Sequence, residues 1–272
     1  MAPDRVAGGQ PQTGLSIRVL GPVEAARGSQ VLDVGGPLEK RLLGVLAVSA
    51  NHAVSIDSLS DALWGDAPPA SRDNTLQTYV SRLRAALGTG RIHSEDHCYQ
   101  LLVAVDELDS LEFEALAVAA EAEKGDPARR AELCMRGLHL WRGRPFGDFA
   151  DEEAFRLEAI RLEELKLAVV ETRVAAEIAL GHENMVIGTL EALVQEHPFR
   201  ERFWQLLILA LALGGRRVEA LRSCADLRTV LGGLGLEPGP TVQWIGEAML
   251  SDDGDRRSWL RVVGNGDALA AA

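Results

Sequence analysis

Cysteine is scarce and scattered. Cys98, Cys134 and Cys224 are the only three in 272 residues, and no two share a CxxC spacing. An odd, dispersed set excludes a disulfide framework and a zinc ribbon, and fits a reducing cytoplasm. Aromatic residues are only 5% of the chain while Ala, Leu, Glu and Arg dominate, which favours helix over a β-rich fold. The longest apolar run, 206–213, falls far short of the roughly 20 residues that span a bilayer, so no membrane segment is expected. Positive charge is in deficit: the net charge of −12 argues against a nonspecific nucleic-acid coat. No nucleophile elbow, phosphate loop, dinucleotide fingerprint or HExxH is present, so neither an enzyme nor a cofactor is indicated.

The charge that is present is unevenly spread. From Leu15 to Val105 there are 8 basic and 9 acidic residues, whereas Asp106 to Leu250 holds 16 against 26. Within Ser71 to Arg91 the sign reverses, with 4 arginines against Asp73 alone. That basic stretch follows a helical pattern in which Leu76, Val80, Leu83 and Leu87 recur at spacings of four, three and four, a core face. Opposite them lie Asn74, Thr78, Ser81 and Ala85, flanked by Thr75 and Arg82 on one side and Gln77 and Arg84 on the other. Small side chains along the centre let a helix sink into a major groove, and flanking arginines can reach phosphates or guanine edges. Taken alone, the same face also reads as an ordinary solvated surface.

The preceding residues decide between the two. Ser55 suits an N-cap, Asp57 the first turn, and Ile56, Leu59 and Leu63 make a buried stripe, after which Gly65-Asp66-Ala67-Pro68-Pro69 stops the helix. A short helix, a connection and a second helix with a polar outer face make a helix-turn-helix whose second helix reads. Upstream, Ile17, Val19-Leu20, Val23 and Val31 to Val34 look like short strands, and a first helix runs from Leu38 to about Ala50. Downstream, Arg91-Ile92 and Tyr99 to Val103 suggest a closing hairpin. The fold expected is mainly α: a winged helix-turn-helix with a small sheet over 15–105, then an all-α, tetratricopeptide-like domain over 109–250. The second domain is punctuated at Gly125-Asp126-Pro127, Gly181-His182 and Gly214-Gly215. Gly181 and Gly215 lie 34 residues apart, an offset that also pairs Val186 with Ala220 and Ile187 with Leu221. Residues 1–14 read as a disordered leader and 251–272 as a mobile tail.

Several motifs, in their joint order, resemble one known family, the actinobacterial antibiotic regulatory proteins. These are Val19-Leu20-Gly21-Pro22; Ala62-Leu63-Trp64-Gly65 with Pro68-Pro69; Leu76-Gln77-Thr78-Tyr79-Val80-Ser81-Arg82-Leu83-Arg84; Leu140-Trp141-Arg142-Gly143; His197-Pro198-Phe199-Arg200-Glu201; Glu219-Ala220-Leu221; and Leu234 to Pro240. The resemblance spans about Ser16 to Leu250 and implies an OmpR-type winged helix joined to a bacterial transcriptional activator domain. It further implies double-stranded DNA with direct repeats, in promoters of secondary-metabolite clusters, as the target. RNA polymerase is the implied partner, its sigma subunit facing the turn Gly65 to Ala70, with self-association on DNA and a cytoplasmic, nucleoid-associated location. DNA contacts carried over are Arg72, Asn74, Thr75, Gln77, Thr78, Tyr79, Ser81, Arg82, Arg84 and Arg91. Three departures stand out: Leu38-Glu39 after Pro37 where a basic residue and Gln are usual, Cys98 before Tyr99 where Gly is usual, and Glu95-Asp96 in the wing. They lead us to expect weak, salt-sensitive DNA binding by a single protomer.

Other readings are blander. His93, Glu95, Asp96, His97 and Cys98 crowd together, but a closed zinc site needs four ligands at fixed spacing, so no metal is expected. His139, His182 and His197 fit packing or capping. Glu152-Glu153 and Glu163-Glu164 diverge by about 100° on a helix and read as solvated faces. Trp141, Trp204, Trp244 and Trp259 sit among leucines as core residues do, although a small-molecule pocket in the helical domain stays open. Two function classes remain: a DNA-binding activator, and a helical-repeat adaptor whose winged helix has little DNA affinity.

Overall fold

The computed structural model describes residues 14–251. Most of the expected leader, most of the expected tail, and Trp259 lie outside them. The described residues form two compact units, 14–115 with 137–166, and 116–136 with 167–251. Residues 137–166 therefore belong with the first unit, although their place in the chain puts them in the helical half.

The first unit opens with an antiparallel sheet of β1 (Leu15–Arg18), β2 (Glu24–Arg27) and β3 (Gln30–Val31), in that order. There follow α1 (Pro37–Val48), β4 (Ala53–Ser55), α2 (Ile56–Trp64), α3 (Arg72–Leu87), β5 (Ile92–Glu95) and β6 (Cys98–Leu101). The second sheet has the order β4-β6-β5, so the β5–β6 hairpin is the wing and β4 ties it to the helices. Helix α1 begins at Pro37, whose fixed φ and missing N–H suit a first helical position. Leu42, Leu43 and Leu46 of α1 are buried with Leu59 and Leu63 of α2 and with Leu76, Val80, Leu83 and Leu87 of α3. Burying a leucine contributes about 1.5–3 kcal/mol, so this triangle of leucines supplies most of the drive to assemble the three helices.

Two strands differ from expectation. Val19-Leu20, Val23 and Leu32 to Val34 lie outside strands, while β2 is built from Glu24-Ala25-Ala26-Arg27, a sequence of low β propensity whose alanines are nevertheless buried. The strand β4, which is not among the expected elements, is set up by Asn51. This residue adopts φ 64° and uses its side-chain amide as a strand neighbour would: Nδ2 donates to the Val103 carbonyl and Oδ1 accepts the Val103 N–H, both at 3.0 Å. Its own N–H donates to the Leu101 carbonyl at 2.8 Å.

The Val19-Leu20-Gly21-Pro22 segment leaves β1 and would bury unpaired backbone were it not for partners far along the chain. Asp109 accepts the Val19 and Leu20 amides at 2.7 and 3.0 Å. The carbonyls of Leu20 and Val19 accept the amides of Arg142 and Phe146, each at 2.7 Å. Gly147 has φ 56°, and a side chain there would lie 3.0 Å from the Pro22 Cα, so the two loops approach backbone to backbone. Phe146 and Phe149 then pack on Phe155, with ring centroids 5.0 and 5.8 Å away, and Phe155 fills the space left by Gly44 of α1.

Helix α4 (Asp109–Ala122), α5 (Pro127–His139) and α6 (Glu153–Ala179) contribute residues to the second unit, which continues with α7 (Glu183–Glu196), α8 (Glu201–Leu213), α9 (Arg217–Gly232) and α10 (Pro240–Ser251). Phe203, Leu206, Leu207, Ile208 and Ala210 place α8 at the centre of its core, between α7 and α9. The 34-residue offset reappears as a repeated helix stop. His182 N–H donates to Glu177 O at 2.9 Å and Arg216 N–H to Leu211 O at 2.8 Å, after glycines at φ 86° and 75°. These are Schellman stops, which satisfy the last carbonyls and need a residue that tolerates positive φ. Further on, Glu201 accepts the Gly239 N–H at 2.7 Å, and Trp204 Nε1 donates to the Pro198 carbonyl at 2.9 Å.

Replacing Asn51 by Ala removes both side-chain bonds and leaves a residue poorly suited to φ 64°, for an expected loss of about 2 kcal/mol in urea unfolding. Asn51→Gly should lose less, and a loss below about 0.5 kcal/mol for Asn51→Ala would show that the mimicry contributes nothing. Burial pushes Asp109 up to about 6, against the two amides and Arg142, which pull the other way. A raised carboxyl contributes most when protonated and loses that contribution as pH rises through the folded value. The stability of wild type relative to Asp109→Asn should therefore increase by about 1 kcal/mol from pH 7 to pH 5, and a constant difference would contradict it.

Candidate nucleic-acid interface

Helix α3 turns its leucine face fully inward, and the opposite row is open: Asn74, Gln77, Thr78, Ser81 and Ala85 are exposed. Thr75 is half-buried and its hydroxyl donates to the Ser71 carbonyl at 3.0 Å, and the Thr78 hydroxyl donates likewise to Asn74 at 2.8 Å. Both hydroxyls are thus bonded back within the helix. Tyr79 belongs to the packing instead. It is half-buried, 6.4 Å between centroids from Trp64 of α2, and braces the two helices. The structure thus brings Asn74, Gln77, Thr78 and Ser81 together on one accessible surface and leaves Tyr79 off it.

Every arginine of the basic stretch is engaged within the chain. Arg72 donates to Asp57 at 2.9 Å, an exposed pair at the start of α3. Arg82, itself 61% exposed, is paired with Glu39, whose side chain is only 6% exposed. Arg84 turns toward the wing, where Nε donates to the Ile92 carbonyl at 2.9 Å and the guanidinium sits 5.9 Å from the Tyr99 ring centroid. Arg91 makes a two-pronged pair with Glu107, both contacts at 2.6 Å, and holds the Glu107 carboxyl below its usual range. The excess charge counted along the sequence is therefore partly cancelled in space. Exposed pairs such as Arg72–Asp57 contribute about 0–1 kcal/mol and exchange readily for phosphate. A pair with one buried partner does not, because leaving that partner unpaired costs several kcal/mol.

Sequence reasoning missed the carboxylates that do this. Glu39 was legible as the third residue of a helix opened by Gly36-Pro37, the place of a capping-box glutamate, and it accepts the Gly36 N–H at 3.1 Å. Glu152, read as part of a solvated face, instead receives Arg41 of α1, with Nε at 2.6 Å. The same Arg41 donates from Nη1 to the Leu63 carbonyl at 2.8 Å, which fixes the end of α2 where the turn begins.

Gly65, Asp66, Ala67, Pro68 and Ala70 of that turn are exposed and Pro69 is half-buried. Gly65 takes φ 57° and its N–H closes α2 onto Asp61 at 2.8 Å, so the segment leaves in a defined direction. At the wing tip Asp96 and His97 have φ 44° and 59°, a two-residue turn with both φ positive that matches the twist of a hairpin. Glu95, Asp96, His93 and His97 are exposed there. This surface is acidic rather than a phosphate clamp.

Against known proteins, the family described as "Bacterial transcriptional activator domain" matches residues 108–250, and that described as "Transcriptional regulatory protein, C terminal" matches residues 34–97. The chain is 36% identical over 243 residues to the regulatory protein AfsR of Streptomyces coelicolor, covering 88% of this chain and 24% of AfsR, so it spans about a quarter of that relative. Regulatory protein DnrI of Streptomyces peucetius is 31% identical over 253 residues, covering 88% of this chain and 93% of DnrI. Among solved structures, Mycobacterium tuberculosis EmbR in complex with a low-affinity phosphopeptide superposes with a TM-score of 0.85 at 29% identity, over 94% of this chain and 70% of EmbR. The chain accordingly belongs to the Streptomyces antibiotic regulatory proteins, a family of transcriptional regulators in which an OmpR-like winged helix precedes a bacterial transcriptional activator domain.

Proposed function

We propose that the protein is a sequence-specific activator that lays α3 in the major groove of direct repeats in promoters of a secondary-metabolite cluster and recruits RNA polymerase. The observation that carries this is the open row Asn74, Gln77, Thr78 and Ser81, backed by a fully buried leucine face on a helix of 16 residues. Amide and hydroxyl groups on such a row can read base edges, each good bidentate contact being worth about 1–3 kcal/mol of discrimination. The exposed turn from Gly65 to Ala70, anchored through Arg41, is the surface we assign to polymerase and its sigma subunit. Activation then has no chemical step: a contact worth about 1.4 kcal/mol raises promoter occupancy up to tenfold. Tandem half-sites would set two protomers head to tail along the groove, and the site of action would be the nucleoid in the cytoplasm.

A second reading keeps the helical domain as a protein-binding adaptor and gives the winged helix little DNA affinity. One observation favours it, namely that Arg72, Arg82, Arg84 and Arg91 all have partners within the chain. The two readings separate on Ser81→Glu, which places a carboxylate at the centre of the exposed row without touching the core. The activator reading expects affinity for a promoter duplex, followed by fluorescence anisotropy, to fall more than tenfold while the melting temperature holds. Asn74→Ala should relax discrimination against altered half-sites by about 1–3 kcal/mol. Wild-type protein that shows no preference for promoter over scrambled duplex would transfer the case to the adaptor.

A further inference from the structure

We propose that Glu39 is an intrachain competitor for Arg82, occupying the guanidinium that would otherwise reach DNA and so holding down the affinity of the reading helix. The proposal rests on the DNA-binding reading of α3. Glu39 is fixed from two sides. One carboxylate oxygen accepts the Gly36 N–H at 3.1 Å and the other accepts Arg82 Nη1. Gly35, at φ 95°, brings its backbone so close that a side chain there would lie 3.0 Å from Glu39 Cγ and Cδ. The carboxylate is thus anchored and 6% exposed, while its partner stands 61% exposed beside Ser81 on the open face.

This asymmetry matters for exchange. When a phosphate or a guanine edge approaches Arg82, the guanidinium can move to it only by abandoning a buried carboxylate, whose charge then faces both a low-dielectric interior and the DNA. The exposed Arg72–Asp57 pair carries no such penalty, and Arg84 and Arg91 are tied to the wing and to Glu107. Arg82 is therefore the arginine that stands most exposed on the reading helix while its partner carboxylate is anchored and buried. Glu39 acts as a positioning residue, and in the wild type Arg82 stays on it.

The test is a double-mutant cycle of Glu39→Gln and Arg82→Ala in the full chain, on a promoter duplex and a scrambled duplex, across several salt concentrations. Glutamine retains an acceptor for the Gly36 N–H, so helix α1 keeps its cap, and circular dichroism melting reports on folding. Glu39→Gln should bind promoter DNA about tenfold more tightly, with a salt slope steeper by about one released counterion. The gain should vanish in the double variant. A gain that persists without Arg82 would mean that a repelling charge was removed, not that an arginine was freed, and overturns the proposal. So does unchanged or weaker binding by Glu39→Gln. Should that variant melt early, Arg82→Ala alone decides: a loss within threefold supports the competitor, and any greater loss shows that Arg82 already reaches DNA and overturns the proposal. Absence of promoter preference in every variant refutes the DNA-binding reading itself and the proposal with it.

Discussion

The buried carboxylate of Asp109 is the constraint on which the first unit is built. It accepts two consecutive amides, those of Val19 and Leu20, while the carbonyls of the same residues are taken by Arg142 and Phe146. Unpaired, these four backbone groups would each cost roughly 1–3 kcal/mol in an interior. Satisfied, they join the first sheet, the start of α4 and the 137–166 segment into one body, with Arg142 also reaching Glu24 at 2.9 Å. The second unit repeats the device. Glu201 takes the Gly239 amide, where a side chain would stand 2.7 Å from the carboxylate oxygen.

Several of the short motifs that carry the family resemblance are thereby explained, although they have no chemistry of their own. Val19 to Pro22 and Leu140 to Gly143 are two halves of one contact, as are His197 to Glu201 and Leu234 to Pro240. In each, a loop with glycine or proline offers backbone groups that only a partner of fixed shape can satisfy. The surface proposed to meet DNA is different in kind. Along α3 the exposed residues make few bonds beyond their own turn, and the positive charge beside them is held by carboxylates of other elements. The helix face is thereby kept open, and its charge is rationed by Glu39, Asp57 and Glu107.

Much of this is legible in the sequence. The leucine face of α3, the exposed row opposite, α1, and the breaks near 125, 181 and 214 all follow from periodicity and from glycine or proline, which act over a few residues. What was not legible depends on distant partners. The pairs Glu39–Arg82, Arg41–Glu152 and Asp109 with Val19 span 43, 111 and 90 residues, and no local pattern announces which carboxylate meets which arginine. Strand β4 escaped because its pairing is set by the side chain of Asn51, and β2 because two alanines carry no strand signal. Counting the four arginines of α3 and its flank as free charge overstated the basic patch for the same reason.

The salt dependence of affinity for a promoter duplex, measured beside a scrambled duplex, tests the central claim most directly: that α3 reads DNA while its arginines are held within the chain. In place of the salt-sensitive binding expected from the sequence, arginines held within the chain predict a clear preference for the promoter that persists across salt, with a slope well short of the value near −3.6 that four freely donated arginines would give at about −0.9 each. Absence of preference at any salt, or a slope as steep as four free arginines would produce, would contradict it.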